Sequence, residues 1–218
     1  MMRESISLYQ LDTLRSQIGG EMSKTRLEHT LGVEQTAALM ADIYCPEIKN
    51  KLCAAALLHD ITKELSTKDH LEILQRYKAE RIEELLASPA TLHAVTAALI
   101  IPRKYPEYAI DEIIGAVRYH TTGRADMTLG EKIIYLADYV EPTRKYEGCK
   151  RLRREFFAAD FGKMTREQKL LHLDSVILQS LDITLAHLVD MGGVICSDTL
   201  EAKQYIENQL GNQKNGEN

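Results

Sequence analysis

Hydrophobic residues recur along this 218-residue chain mainly with the spacing of one helix face, three or four positions apart. No run alternates apolar and polar residues for long enough to predict a β-strand. Capping residues and prolines divide the pattern into segments of ordinary helix length. The chain is therefore predicted to be all-α.

The first two predicted helices lead to a polar dipeptide at the end of an apolar run. Ser23 can cap a helix that carries His29 and ends at Cys45-Pro46. A second helix runs from about Glu47 to His59-Asp60. Because an imidazole and a carboxylate are costly to bury without partners, a metal ion is a natural partner for this pair.

Shorter helices are predicted next. Ser66 resembles the capping residue of a short amphipathic helix, and another turn or two follows at 80–86. Pro89 is well placed to open the helix that carries His93, because proline is favoured in the first turn.

Two further helices complete the first part of the chain. Asp111 can cap a helix that delivers His120 at its end. An apolar helix over 129–140 carries Asp138 and is stopped by Glu141-Pro142.

The remaining sequence predicts a long amphipathic helix over 165–189, which ends at Gly192-Gly193, and a last helix over 198–208 capped by Asp198. No linker-like stretch interrupts residues 1–210, so these form one predicted domain. The polar segment 211–218 is predicted to be a frayed tail.

Composition narrows the classes of function. With 27 Lys and Arg against 32 Asp and Glu, the net charge of −5 argues against a broad nucleic-acid-binding face. No segment reaches the roughly 18 apolar residues of a membrane-spanning helix, and the N-terminus lacks a signal-peptide pattern. The scattered cysteines form no Cys-x-x-Cys pair, so the protein is predicted to be cytoplasmic with reduced thiols. These cysteines are Cys45, Cys53, Cys149 and Cys196.

Four histidines and one aspartate lie on the apolar faces of separate predicted helices, where they can converge: His29, His59, His93, His120 and Asp138. Imidazole and carboxylate ligands together suit Fe, Mn or Zn, and the lack of nearby thiolates argues against a structural zinc site. The other histidines are interpreted as solvated or structural: His70, His172 and His187.

The order His29, His59-Asp60, Asp138 resembles the H…HD…D signature of HD-domain metal-dependent phosphohydrolases. Four segments more specifically resemble the YqeK family, whose members are symmetrical bis(5'-nucleosyl)-tetraphosphatases that split diadenosine tetraphosphate into two ADP. The four segments are RLEHTLGV at 26–33, ALLHDITK at 56–63, RYHTTGR at 118–124 and EKIIYLADYVEP at 131–142, and SDTLEA at 197–202 adds to them.

The resemblance implies an all-helical HD-domain bundle with a divalent transition metal, with iron favoured over Mn, Co and Zn. The implied metal ligands are His29, His59, Asp60 and Asp138. The resemblance also implies that His93 and His120 lie near the nucleotide phosphates, and it leaves open whether they hold a second metal.

The implied reaction is metal-assisted hydrolysis, in which the ion activates a water and Asp60 orients it. Lys63, Arg124 and Arg144 are the cations expected to contact phosphate oxygens. The full set expected at the substrate is His29, Asp60, Lys63, His93, His120, Thr121, Thr122, Gly123, Arg124, Arg144 and Tyr146.

The chain departs from the family pattern in one loop. After Glu141-Pro142 the family usually continues Gly-Arg, an aromatic residue and Pro-Gly, whereas this chain has Thr143-Arg144-Lys145-Tyr146-Glu147-Gly148. Arg144 and Tyr146 keep their places, but the first glycine and the proline are absent. A loop that needs a close backbone approach or a positive φ at that glycine is altered here.

Two other functions remain open, because selectivity in a shared metal core comes from the loops. One is an HD-domain nucleotidase or phosphodiesterase that acts on mononucleotides or cyclic nucleotides. The other is a non-catalytic, nucleotide-binding regulatory module. The partners expected are a dinucleoside polyphosphate or nucleoside diphosphate, with no nucleic acid and no membrane. A homodimer that uses the helix over 165–189 is an open alternative to a monomer.

Overall fold

The computed structural model describes residues 5–216, and side chains for residues 5–212. Within these residues the chain forms α-helices and short 3₁₀ turns and no β-strand, which confirms the all-α prediction. The helices are α1 (Leu8–Gly19), α2 (Lys24–Tyr44), α3 (Lys49–Leu58), α4 (Thr67–Arg76), α5 (Ile82–Ala87), α6 (Leu92–Lys104), α7 (Asp111–Tyr119), α8 (Leu129–Val140), α9 (Glu147–Phe157), α10 (Arg166–Asp190) and α11 (Ser197–Gly216).

Helix α3 lies at the centre of the fold. Every side chain from Leu52 to Leu58 is buried, so the helix is apolar on all sides and other helices surround it. It packs against α1, α2, α7 and α8. The chain leaves α3 at His59, and the His59-Asp60 dipeptide is therefore delivered to the interior.

The helices that carry the other candidate ligands pack around this point. Helix α2 packs on α3 and α8, while α7 packs on α3, α6 and α8. Side-chain caps stand at two of the starts: Ser23, as predicted, accepts a hydrogen bond from the Arg26 amide, and Thr128, which was not among the predicted caps, forms a capping box with Glu131. These caps fix where α2 and α8 begin.

The C-terminal helices form a second layer. Helix α10 packs on α8, α9 and α11. An aromatic cluster of Tyr44, Phe156, Phe161 and His172 joins this layer to the end of α2. His172 Nε2 donates to the Phe156 carbonyl at 3.1 Å, which is the structural role expected of this histidine.

Helices α4 and α5 form a small cap with its own apolar cluster, which contains Leu74, Leu85, Leu92 and Val95. Ser66 and Asp69 make the capping box that starts α4, as the sequence predicted. His70 is buried in this cap, where its Nδ1 lies 2.9 Å from the Thr96 hydroxyl. This histidine is therefore structural and not solvated.

The sequence prediction was wrong at two helix starts. The N-cap of α7 is Ile110, and Asp111 is already the first helical residue, where a carboxylate favours the positive end of the helix dipole. Asp198 lies inside the first turn of α11 and binds Arg81 and Arg118. Both aspartates stabilise a helix start, but through charge and not as the capping residue.

The two ends of the described chain also differ from the prediction. Helix α1 was not among the predicted elements, and α11 continues to Gly216 where a frayed tail was expected from residue 211. Residues 217–218 lie outside the described residues. Over residues 5–216, no helix combines the length and the apolar character needed to cross a membrane.

We predict that Thr128→Ala lowers the free energy of unfolding by about 1 kcal/mol, because it removes the acceptor for the Glu131 amide at the start of α8. Thr128 is exposed, so no packing changes. Urea unfolding measures the difference. Thr128→Ser is the matched control and should retain the stability, and equal values for the Ala and Ser variants would contradict the capping role.

Candidate metal centre

Two histidines share one local geometry. His59 and His120 each follow the last residue of a helix, α3 and α7, where the final carbonyl groups lack helical partners. Each ring uses Nδ1 to donate to the carbonyl three residues earlier, His59 to Ala56 at 2.6 Å and His120 to Val117 at 2.8 Å. Since Nδ1 carries the proton, Nε2 has a free lone pair that can bind a metal.

His29 and Asp138 come from the helices on either side. His29 Nε2 lies 3.0 Å from Asp138 Oδ1, and His29 Nδ1 lies 3.1 Å from Glu141 Oε1. His59 Nε2 lies 3.9 Å from the same Asp138 oxygen. The two imidazoles and the carboxylate thus face a common point between α2, α3 and α8.

Asp60 lies at the centre of the whole group. Its Oδ2 is 3.6 Å from His29 Nε2 and 3.4 Å from His59 Nε2. Its Oδ1 is 3.2 Å from His93 Nε2 and 3.8 Å from His120 Nε2. One buried carboxylate therefore connects the His29 side of the site to the His93 side.

The residues present fit a divalent transition metal. Neither His29 Nε2 nor His59 Nε2 forms a hydrogen bond of acceptable geometry, although His29 Nε2 is 3.0 Å from Asp138 Oδ1, and a buried nitrogen without a hydrogen bond is costly unless something else binds it. Each lies with carboxylate oxygens in a group whose ligand atoms are all within 4.8 Å of one another. One such group is His29, His59 and Asp138, and a second is His59, Asp60 and His120. Mixed imidazole and carboxylate ligands suit Fe, Mn, Co or Zn.

Two arginines lie against the carboxylates. Arg144 Nη2 is 2.6 Å from Asp138 Oδ1, and its Nε donates to the Asp138 carbonyl at 3.1 Å. Arg26 pairs with Asp60 Oδ2. Both guanidinium groups are partly exposed, so each places a positive charge between its partner carboxylate and the surface of the site.

The neighbours of the two aspartates keep them ionised. Burial raises the pKa of each, but the imidazoles around Asp60, beginning with His59, hold its pKa well below the usual range. Arg144 and then His29 do the same for the pKa of Asp138. Arg144 in turn has a raised pKa because of the Asp138 charge. Both carboxylates are thus available as ligands at neutral pH.

The histidines divide into two kinds. Burial lowers the pKa of His29, but the carboxylates of Asp138 and Glu141 outweigh burial and raise this pKa to about 9. Burial, followed by the charge of neighbouring imidazoles, lowers the pKa of His93 to about 2 and of His120 to about 4. His93 and His120 are therefore neutral at pH 7.

Lys63 lies on the His93 side of the site. Its Nζ is 3.3 Å from each ring nitrogen of His93, and burial lowers its pKa. The Thr121 hydroxyl is also 3.2 Å from His93 Nε2. Of the expected substrate residues that are not themselves members of the histidine and aspartate group, the structure brings Lys63, Thr121 and Arg144 to it.

Three other expected substrate residues make different contacts. Thr122 is buried and donates to the Gly123 carbonyl, and Gly123 takes a positive φ of 64° in the turn after α7. Arg124 binds Glu131 at 2.9 Å and lies over the Tyr119 ring. The contacts of these residues do not reach the histidine and aspartate group.

Tyr146 is exposed and lines a cavity of about 490 Å³ beside Arg144. The cavity lies between the end of α8, the start of α9 and α10. Its walls are mainly apolar or aromatic away from Arg144. The other lining residues are Tyr139, Glu147, Gly148, Cys149, Ile183, Thr184 and His187.

The sequence-based selection of site residues missed Arg26 and Glu141, which contact Asp60 and His29. A signal was present for both, because Arg26 lies three residues before His29 and Glu141 lies three residues after Asp138, one helical turn away in each case.

The HD domain family matches residues 26–143. A symmetrical bis(5'-nucleosyl)-tetraphosphatase of Halalkalibacterium halodurans is 32% identical over 82% of this chain and 87% of its own length. One of Bacillus subtilis with the same name is 31% identical over 85% of this chain and 91% of its own length.

A solved structure gives the same result for the fold. A protein of Clostridium acetobutylicum, named as a predicted HD superfamily hydrolase involved in NAD metabolism, superimposes with a TM-score of 0.79. It is 30% identical in sequence, and the match covers 94% of this chain and 99% of that chain. The predicted family resemblance is confirmed.

We predict that Mn²⁺ added to chelator-treated protein raises the free energy of unfolding by about 2.7 kcal/mol at a free concentration 100 times its Kd. The ion would bind Nε2 of His29 and of His59, neither of which makes a hydrogen bond in the folded state. Urea unfolding with and without Mn²⁺ measures the effect.

His59→Gln should remove most of this stabilisation, whereas His172→Gln should retain it. His172 is the matched control because its ring binds the Phe156 carbonyl in the aromatic cluster and contacts none of the candidate ligands. Equal stabilisation of the His59 variant and the wild type would place the ion elsewhere.

Proposed function

The chain belongs to the HD domain family, and we propose that it is a symmetrical bis(5'-nucleosyl)-tetraphosphatase. The enzyme hydrolyses diadenosine tetraphosphate, and related dinucleoside tetraphosphates, into two nucleoside diphosphates. The observation that carries this proposal is the buried Asp60 between two pairs of histidines, in a chain that matches two such enzymes over most of their length.

His29, His59, Asp60 and Asp138 would hold the metal ion. When bound, the ion supplies Lewis acidity, which activates water for attack and neutralises charge on the phosphoryl group. Asp60 stays ionised, and its Oδ1 points away from the His29 side. This oxygen can therefore accept a hydrogen bond from the attacking water and orient it. Asp60 is thus both a ligand and a catalytic residue.

Cationic and neutral donors around this group would bind the phosphates. Lys63 is the second catalytic residue, because its buried ammonium can stabilise charge that develops on the reacting phosphoryl group. Arg26 and Arg144 each bind a ligand carboxylate and are partly exposed, so their remaining N–H groups can pair with phosphate oxygens. Thr121 adds a neutral hydroxyl beside His93.

We place the phosphates, and not a second ion, at His93 and His120. The ammonium of Lys63, 3.3 Å from both nitrogens of His93, would repel a second cation there and attract an anion. His93 Nε2 is also within 3.0 Å of His120 Nε2. Because His120 donates through Nδ1 to Val117, its Nε2 can only accept, so His93 Nε2 carries the proton and donates this hydrogen bond to His120. His93 Nε2 would donate to a phosphate oxygen in place of this hydrogen bond.

The cavity beside Arg144 would hold one nucleoside. Its volume of about 490 Å³ and its aromatic walls suit a planar base, and Arg144 lies between it and Asp138. Tyr146 can cover the opening because its side chain is exposed at the start of α9. The other nucleoside would extend past the turn at Thr122, Gly123 and Arg124.

Three finer properties are part of the same proposal. Iron is the favoured ion, with Mn, Co and Zn as alternatives that the same ligands accept. The protein acts in the cytoplasm on a free nucleotide, and a homodimer would use α10.

Hydrolysis of mononucleotides or cyclic nucleotides is the alternative with the same metal core, and the two tetraphosphatase relatives favour the dinucleotide.

We predict that metal-replete protein converts diadenosine tetraphosphate to ADP as the only nucleotide product, because attack occurs at the central phosphate linkage. Ion-exchange chromatography of the products measures this, with a cyclic dinucleotide and a mononucleotide as comparison substrates. ATP together with AMP, or no turnover with Fe²⁺, Mn²⁺ or Co²⁺, would contradict a symmetrical hydrolase.

We predict that Asp60→Asn lowers kcat/KM to roughly a thousandth of the wild-type value or less, because one carboxylate serves the ion and the attacking water. Steady-state kinetics measures the loss, and circular dichroism confirms the fold. Glu155→Gln, an exposed change on α9, is the control and should keep full activity. Wild-type activity in the Asp60 variant would contradict the proposed catalytic role.

We predict one transition-metal ion per chain in the fully loaded protein, since Lys63 lies where a second ion would bind. Metal analysis after removal of unbound ion gives the ratio. His120→Gln should keep this ratio and raise KM for diadenosine tetraphosphate. Two ions in the wild type and one in the variant would instead place a second metal at His93 and His120.

A further inference from the structure

Glu141 is a buried carboxylate behind the proposed metal ligand His29. Its side chain has 0% exposure and lies directly after α8, in the loop where the chain departs from the family pattern. Its Oε1 is 3.1 Å from His29 Nδ1, on the side of the ring opposite to Asp60 and Asp138. The carboxylate thus contacts the ring without reaching the position of the ion.

Thr143 holds the same carboxylate from the other side. The Thr143 amide donates to Glu141 Oε2 at 2.6 Å, and the Thr143 hydroxyl donates to Glu141 Oε1. A glycine at this position, as in the family pattern, would offer the amide but not the hydroxyl. The substitution that distinguishes this loop therefore adds one hydrogen bond to the carboxylate behind His29.

Gly32 makes room for Glu141. A Cβ atom on Gly32 would lie 2.5 Å from Glu141 Oε2, closer than any van der Waals contact allows. Gly32 is three residues after His29, so it lies on the same side of α2 as the imidazole. The sequence of α2 thus supplies both the ligand and the space for the group that contacts it.

We propose that Glu141, held by Thr143 and accommodated by Gly32, is a positioning residue that fixes the orientation of His29 for metal binding. This inference rests on the metal site of the proposed function. A carboxylate that accepts from Nδ1 fixes which ring nitrogen faces the ion and makes the imidazole a stronger ligand. The Thr143 hydroxyl restrains the carboxylate, so that Glu141 and His29 do not have to be ordered when the ion binds.

The test is the Kd for Mn²⁺, measured by calorimetric titration of chelator-treated protein in the absence of nucleotide. Loss of such a partner typically weakens metal binding about 10- to 100-fold, so this is the change expected for Glu141→Ala. Gly32→Ala should act in the same direction because the new methyl group displaces the carboxylate. Thr143→Val should weaken binding by a smaller factor, and Thr143→Ser should restore it.

Gly115→Ala is the matched control. Its Cβ would lie 2.9 Å from Glu131 Oε1, the same kind of contact, but Glu131 binds Arg124 and caps α8 without contacting a candidate ligand. This variant should lose stability while keeping the Kd for Mn²⁺.

The possible outcomes separate the two proposals. Wild-type affinity for Mn²⁺ in both Glu141→Ala and Thr143→Val would overturn the positioning role and leave the metal site intact. Equal weakening by Gly115→Ala would also overturn it, because the effect would then follow general destabilisation. Failure of the wild-type protein itself to bind a transition metal would contradict the proposed function.

Discussion

The structure depends on burying a few charges at the centre of a helical protein. Asp60 is 4% exposed, and an isolated carboxylate at such depth would cost several kcal/mol. The cost is offset because every neighbour is complementary: Arg26 pairs with one oxygen, and imidazoles face both. Asp138 likewise pairs with Arg144 and lies beside His29. The helices must therefore meet in one arrangement, since any displacement would leave a charge without a partner.

Several side chains of the site are oriented by the helix ends at which they lie. His59 and His120 occupy equivalent places after α3 and α7, and each satisfies one carbonyl of its own helix end with Nδ1. The same hydrogen bond that terminates the helix thus orients the ring. Asp138 lies in the last turn of α8, and Glu141 is the first residue after this helix. Local hydrogen bonds at the helix ends thus orient the side chains, and packing of the helices on the apolar α3 brings these side chains together.

The sequence predicted most of this, and the failures have physical reasons. Residues with strong local signals were placed correctly: Ser23 starts α2, and α8 covers 129–140. Helix α1 was missed although the sequence carries both signals for it: Ser7 and Gln10 form its capping box, and Leu11, Leu14 and Ile18 are buried on one face. Arg124 is expected at phosphate, and the structure pairs it with the buried Glu131. Local pattern identifies ligands on apolar faces, whereas the choice between two acceptors for one arginine depends on tertiary contacts.

The proposed metal ligands and the proposed nucleotide-binding residues come from different parts of the fold. The ligands and Lys63 come from helices or from the turn after α3, and their positions are fixed by the core. The residues around the cavity beside Arg144 come from the loop after α8, the start of α9 and one side of α10, which carry few core contacts. Substitutions such as Thr143 can therefore accumulate in this loop without displacing Asp138. Because Thr143 also contacts the carboxylate behind His29, the loop that would bind nucleotide is coupled to the ligand set through Glu141. A change in this loop can thus affect metal binding as well as substrate choice, and the two effects are separable only when metal affinity is measured without nucleotide.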